Sequence, residues 1–306
     1  MWFNFHSPNS DDVISPRTEN VSPFGELSAD DILKFNRIKS LHFWAMIVMM
    51  IQFVAYLGAS SGIEATTLAS VSFQKNTSDD SCQDLTCSVN IHSLGPIDML
   101  WTIPLFVGLA GFDHIICYSL LVHKSDLCKK WIFHINSNPI RWFEYSLSAS
   151  LMAWSLAALC RITDIHLWFL IFVCTGLGML CGWALELLPY PKSRREEQWP
   201  LPLPPSVLRN LIFSIGTLTV FTPWIVLGSY FFQAALDTNS DIPDFVYLAF
   251  LLTLVFFACF GLNSFLCHII GYYDFPTAEM IYVLLSFTAK TFLAADVYGG
   301  LAAASD

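Results

Sequence analysis

Seven stretches long and apolar enough to cross a bilayer follow one another along this chain, at roughly 41–60, 97–122, 139–160, 166–188, 208–235, 243–271 and 276–303. A helix needs about 20 mostly apolar residues to traverse the hydrocarbon core. A soluble bundle would instead carry polar stripes at helical spacing, yet Phe245 to Phe260 is apolar all round. Composition agrees: 55 % of residues are hydrophobic and 13 % charged, against about 25 % charged in soluble domains. The expectation is an all-α membrane protein of seven spanning helices in lipid, with a polar extension at 1–40, a helical domain at 41–303 and a long first loop at 61–96. The net charge of -10 comes from acids in the N-terminal stretch and outer loops, which form no run suited to a basic partner. Nucleic acid is not an expected ligand. The first 40 residues contain no apolar core followed by a small-residue cleavage site, so the first spanning helix is expected to act as the targeting signal.

Lysines and arginines accumulate on the cytoplasmic side of short loops. Arg17, Lys34, Arg37 and Lys39 precede the first span, Lys124, Lys129 and Lys130 follow the second, and Lys192, Arg194, Arg195 and Arg209 follow the fourth, all on one side. The opposite side has Lys75 and Arg161 among Asp79, Asp80, Asp84, Asp164, Asp237, Asp241 and Asp244. The expected N-terminus is therefore cytoplasmic and the C-terminus extracellular. The Asn76-Thr77-Ser78 sequon and the nearby Cys82 and Cys87, which offer a small disulfide, fit an external first loop. Thr66 to Phe73 alternates in the manner of a strand, which suggests a small β-hairpin over the outer face. The other cysteines lie mainly in apolar stretches with no metal-ligand spacing, so no metal site is expected.

Lys290 lies midway along the last span, where a bare ammonium costs about 2.5–3.5 kcal/mol on an insertion scale. Such a lysine can be a nucleophilic amine toward an aldehyde or half of a buried ion pair that fixes helix packing. Both readings stand on the lysine alone. The third span supplies an acid: Arg141 and Glu144 share a helical face, and Ser148 continues it one turn deeper. Ser286 lies one turn before Lys290.

The stretch Arg141-Trp-Phe-Glu-Tyr-Ser, paired with Ser286-Phe-Thr-Ala-Lys290, resembles the heliorhodopsins, a family of retinal proteins with a rhodopsin-like bundle, a cytoplasmic N-terminus and a long outer first loop. The resemblance covers roughly residues 34–303. It implies all-trans retinal held on Lys290 as a Schiff base, Glu144 as counterion, and Ser286 where ordinary microbial rhodopsins usually have an aspartate. It also makes His42 and His114 candidates for a polar cavity on the first two helices, although His42 is near enough to the cytoplasmic end to face headgroups instead. Asp113 is expected to face protein or water, and Glu186 and Asp296 to be solvated or interfacial. Trp154, Phe221, Trp224, Phe256, Phe257 and Phe260 are candidates to flank the polyene.

The resemblance implies a light sensor in a plasma membrane or host endomembrane, a homodimer, and an unidentified cytoplasmic signalling partner. Light-driven or light-gated proton movement is the alternative, with Asp113, Glu186 and Asp296 as relay acids. A receptor or transporter using Lys290 and Glu144 only as an ion pair is a third reading. No nucleophile elbow, HExxH or phosphate loop points to an enzyme.

Overall fold

The computed structural model describes residues 27–60, 66–74, 89–191, 193–236 and 242–305. The Asn76 sequon and the Cys82 and Cys87 pair lie outside the described residues. Helix α1, Ala29–Ala59, begins within the stretch expected to be extension, because Ser28 and Asp31 form a reciprocal cap. The Ser28 hydroxyl accepts the Asp31 N–H at 3.1 Å, and the Asp31 carboxylate accepts the Ser28 N–H at 3.3 Å. Strands β1 (Thr66–Gln74) and β2 (Val89–Asp98) then pair antiparallel. Their register slips between Ala69 and Ser70, opposite Gly95, whose φ of 115° lies in the region that favours glycine. The Ser70 N–H donates to the Thr163 carbonyl at 2.8 Å, which ties this ribbon to the turn before the fifth helix.

Helix α2 (Thr102–His123) leads to the short α3 (Ser125–Lys129) and a π-helical segment, Lys130–Ile135, closed by Asn136 at a φ of 58°. Helix α4, Pro139–Leu159, starts with Asn138 as cap and proline in its first turn, where the missing N–H costs nothing. Helix α5 (Ile165–Glu186) is capped by Asp164, whose carboxylate accepts the His166 N–H at 2.7 Å. The short α6 (Arg194–Glu197) precedes α7 (Pro205–Leu236) and α8 (Asp244–Ser264). A second π-helical segment, Phe265–Ile270, extends α8 before α9, Phe275–Ser305.

Six helices among the described residues are long and apolar enough to cross a membrane: α1, α2, α5, α7, α8 with its π-helical extension, and α9. Helix α4 is a further long helix that falls short on hydropathy, and its place in the bundle supplies the reason. It packs against α2 and α5 and also touches α7 and α8, burying Arg141, Glu144 and four serines that a lipid-facing helix could not carry. Its neighbours complete the bundle: α1 packs on α2, α5 on α7, α8 on α9, and α9 returns to α1 and α2.

The α4–α5 contact depends on Gly182, where an added Cβ would fall on the buried Trp142 ring. Gly182→Ala is expected to destabilise the protein by about 1–3 kcal/mol, the usual cost of overpacking. Thermal unfolding in detergent would measure it, and an unchanged midpoint would mean the helices separate freely there. Just before the start of α9, Lys34 bonds Asp274 at 2.7 Å, and it also bonds Asp30 at 2.8 Å. Partial burial pushes the Asp274 carboxyl up, but hydrogen bonds from Lys34 and Thr277 outweigh it and hold the group below the ordinary carboxylate range. The contribution is therefore present above the unfolded value of about 3.9 and lost as pH falls through the lower folded one. Asp274→Asn is expected to cost about 0.5 kcal/mol near neutral pH, as suits a half-exposed pair. Its difference from the parent should close in strongly acidic buffer.

Candidate functional site

Helix α9 brings Ser286 and Lys290 to one face, and α4 places Glu144 opposite them. Lys290 Nζ lies 2.8 Å from Glu144 Oε1, 3.0 Å from Glu144 Oε2 and 2.8 Å from Ser286 Oγ. Three acceptors thus meet the three donors of an ammonium, and the Tyr145 ring centroid lies 5.1 Å away. Lys290, Glu144, Ser286 and Ser148 are all buried, and Ser148 Oγ has no hydrogen-bond partner among the described residues.

A cavity opens beside Nζ, lined by Ser148, Met152, Met179, Phe257, Phe260 and Ala289 among others. A mostly apolar lining that carries an amine and an unpaired hydroxyl suits an apolar aldehyde. The sequence-selected aromatics divide. Phe257 and Phe260 line the cavity, whereas Phe256, one helical step round, stacks against Phe292 with ring centroids 6.3 Å apart. Trp154 packs on Trp168 and Phe172, donating its indole N–H to the Trp168 carbonyl at 2.6 Å. Trp224 is buried against Phe250 and Phe257, while Phe221 is 57 % exposed on the outer surface. Helical phase, which composition cannot show, separates these positions. The liners Tyr145, Met152 and Met179 were missed; Met152 alone had a signal, one turn beyond Ser148 on the Glu144 face.

His42 does not face headgroups. It is buried, with its Nδ1 3.0 Å from that of His114 and the two rings edge to face. That contact needs one ring to present Nδ1–H and the other a bare Nδ1. Asp113 faces protein as expected: its Oδ2 is 3.6 Å from His114 Nδ1, and the Cys117 thiol donates to Oδ1 at 3.7 Å.

Glu186 departs from its expected solvated or interfacial place. It is 1 % exposed and forms an ion pair with Arg141, which also binds Glu279 at its other terminal nitrogen. The Asn138 N–H donates to Glu186 at 2.9 Å, and its side-chain amide donates to Glu279 at 2.7 Å. The guanidinium lies 4.2 Å from the Tyr282 ring centroid and 5.0 Å from that of Trp142. Arg141 and Glu144, which share a face of α4, thus serve two separate centres, one at Lys290 and one at Arg141. Glu279 was not selected from the sequence, where it reads as an ordinary acid near the start of an apolar stretch. Asp296 is half-buried, beyond Lys290 toward the end of α9.

An apolar helical bundle wrapped around an acid-paired lysine defines this chain as an integral, multi-pass membrane protein of the rhodopsin architecture. The Heliorhodopsin family matches residues 38–302, and the chain belongs to that family. It is accordingly a retinal membrane photoreceptor. No curated protein matches the chain. Among solved structures, the transmembrane domain of the Salpingoeca rosetta rhodopsin phosphodiesterase shares the fold. It has 14 % sequence identity, covers 92 % of each chain and gives a TM-score of 0.58.

Proposed function

We propose that the chain is a light sensor of seven spanning helices, N-terminus cytoplasmic and C-terminus extracellular, that holds all-trans retinal on Lys290 and signals rather than pumps. The observation that carries the reading is the three-acceptor cage around Lys290 Nζ at the mouth of an apolar cavity. Retinal, when bound, supplies absorption of visible light and a light-driven change of shape. Lys290 is the attachment point, Glu144 neutralises a positive charge on its nitrogen, and Ser286 accepts a hydrogen bond from it. Ser148, Met152, Met179, Phe257 and Phe260 hold the chain of the ligand and exclude water.

The Arg141 centre favours signalling. It lies one turn of α4 on the cytoplasmic side of Glu144 and binds α4, α5 and α9 together through Glu186 and Glu279. A shift of charge at Glu144 is thus felt by a clamp joining three helices, and a cytoplasmic partner would read their displacement. A homodimer is the proposed assembly.

Purified protein mixed with all-trans retinal should develop a visible absorption band, and Lys290→Ala should not. A parent without a band, or a variant that keeps it, would exclude the photoreceptor role and favour a receptor or transporter with a structural ion pair. Voltage clamp under illumination separates signalling from transport: a photocurrent abolished by Glu144→Gln would replace the sensor by a proton carrier.

A further inference from the structure

Among the described residues, four carboxylates of the acidic side chains are buried, Asp113, Glu144, Glu186 and Glu279, against the cations Arg141, Arg209 and Lys290. Contacts distribute the cations unevenly. Lys290 holds both oxygens of Glu144, Arg141 is shared by Glu186 and Glu279, and Arg209 binds Glu196 and the Pro189 carbonyl. Asp113 is left with an imidazole at 3.6 Å and a thiol at 3.7 Å. The ionisable groups around it are His42 from α1, His114 and Cys117 from α2, Arg141 and Glu144 from α4, and Lys290 from α9. An ionised Asp113 would thus be a desolvated charge beside the Glu144 carboxylate, a cost that a proton on either oxygen removes.

His42 extends this cluster into a second cavity, also lined by Cys117, Cys128, Asn138 and Glu279. Its wall thus joins His42 of the histidine pair to Asn138 and Glu279 of the Arg141 centre, so the two centres, separate in sequence, border one chamber.

We propose that Asp113 is the internal proton store of this site: neutral at rest, it gives its Oδ2 proton to His114 Nδ1 as His114 passes its own Nδ1 proton to the bare Nδ1 of His42, and the store exchanges with the cytoplasmic end through His42 and the second cavity. In the relay the Asp113 O–H and the His114 N–H bonds break while a new N–H forms on each ring, leaving an Asp113 carboxylate and a His42 imidazolium with the total charge unchanged. The resting state of Asp113 belongs to the polypeptide alone, whereas its role during illumination rests on the retinal reading above.

Infrared spectroscopy of the full-length protein in lipid, before retinal is added, tests the first part. Carboxylic-acid C=O absorption should weaken in Asp113→Asn and return at a shifted frequency in Asp113→Glu. The Cys117 S–H stretch should move in Asp113→Asn and vanish in Cys117→Ala. Identical carboxylic-acid absorption in parent and Asp113→Asn would show the residue ionised and overturn the store; if Asn does not fold, an unshifted band in Asp113→Glu does the same. With retinal loaded, Asp113→Asn should keep its visible band while recovering from a flash about 100-fold more slowly, the lower range for a positioned proton donor. An unchanged recovery would overturn the donor step. Failure of the parent to take up retinal would remove the photoreceptor reading and leave the infrared result standing.

Discussion

Lys290→Ala is expected to lower the stability of the retinal-free protein by about 3–5 kcal/mol, the usual result of removing one partner from a buried ion pair. The variant leaves Glu144 buried with both oxygens stripped of their ammonium donor, and Ser286 offers one hydroxyl in its place. Most of the loss should therefore come from the stranded carboxylate and little from the missing lysine stem. Glu144→Gln on the Lys290→Ala background should restore much of it, because both charges are then gone. Glu144→Gln alone should also destabilise, by leaving the ammonium in the bundle. Thermal midpoints of the four proteins in one lipid composition give the coupling between the two sites. Additive losses, each under about 1 kcal/mol, would mean that water reaches the pair and screens it, and the enclosed site described above would be wrong.

The lysine centre was legible in the sequence because its parts obey short-range rules. Ser286 and Lys290 are four residues apart on one helix, and a lysine in mid-span demands an acid. The third span supplied Glu144 as that acid, and the Arg-Trp-Phe-Glu-Tyr-Ser resemblance gave it the role of counterion. The Arg141 centre was not legible, since Arg141, Glu186 and Glu279 stand on three helices and meet only through the packing of α4, α5 and α9. Glu186 and Glu279 each lie at the end of an apolar stretch, where an acid normally reaches water; the turn carrying Asn138 and the π-helical segment carrying His268 cover that end instead. Helix boundaries show the same division. The spans were placed by hydropathy, but the start of α1 is set by a local cap at Ser28, which lies in polar sequence. Aromatic residues were the least readable, because 15 % of the chain is aromatic and only rotation about each helix decides which rings face the cavity.

Arg141→Met is expected to have the largest effect of any substitution in the bundle, at least about 5 kcal/mol, because it strands two carboxylates where a broken pair strands one. The guanidinium is the group that lets Glu186 and Glu279 approach one another, since each takes one of its terminal nitrogens. Without it two like charges face each other in a medium that screens them poorly. Arg141→Lys should recover part of the loss only: a single ammonium lacks the planar fork that serves two carboxylates and cannot reproduce the stacking 4.2 Å from the Tyr282 ring centroid. Adding Glu186→Gln and Glu279→Gln to Arg141→Met should bring the fold back, as a triad replaced whole by neutral side chains often costs little. Yield of monodisperse protein and its thermal midpoint measure the stability of the three variants against the parent. The neutral triple variant then separates structure from signal. If the Arg141 centre transmits the charge shift at Glu144 to the cytoplasmic ends of α4, α5 and α9, the triple variant should fold and take up retinal, yet show a much smaller light-induced displacement between spin labels on those helices. A displacement equal to the parent's would mean that the Arg141 centre holds the bundle together and carries no signal.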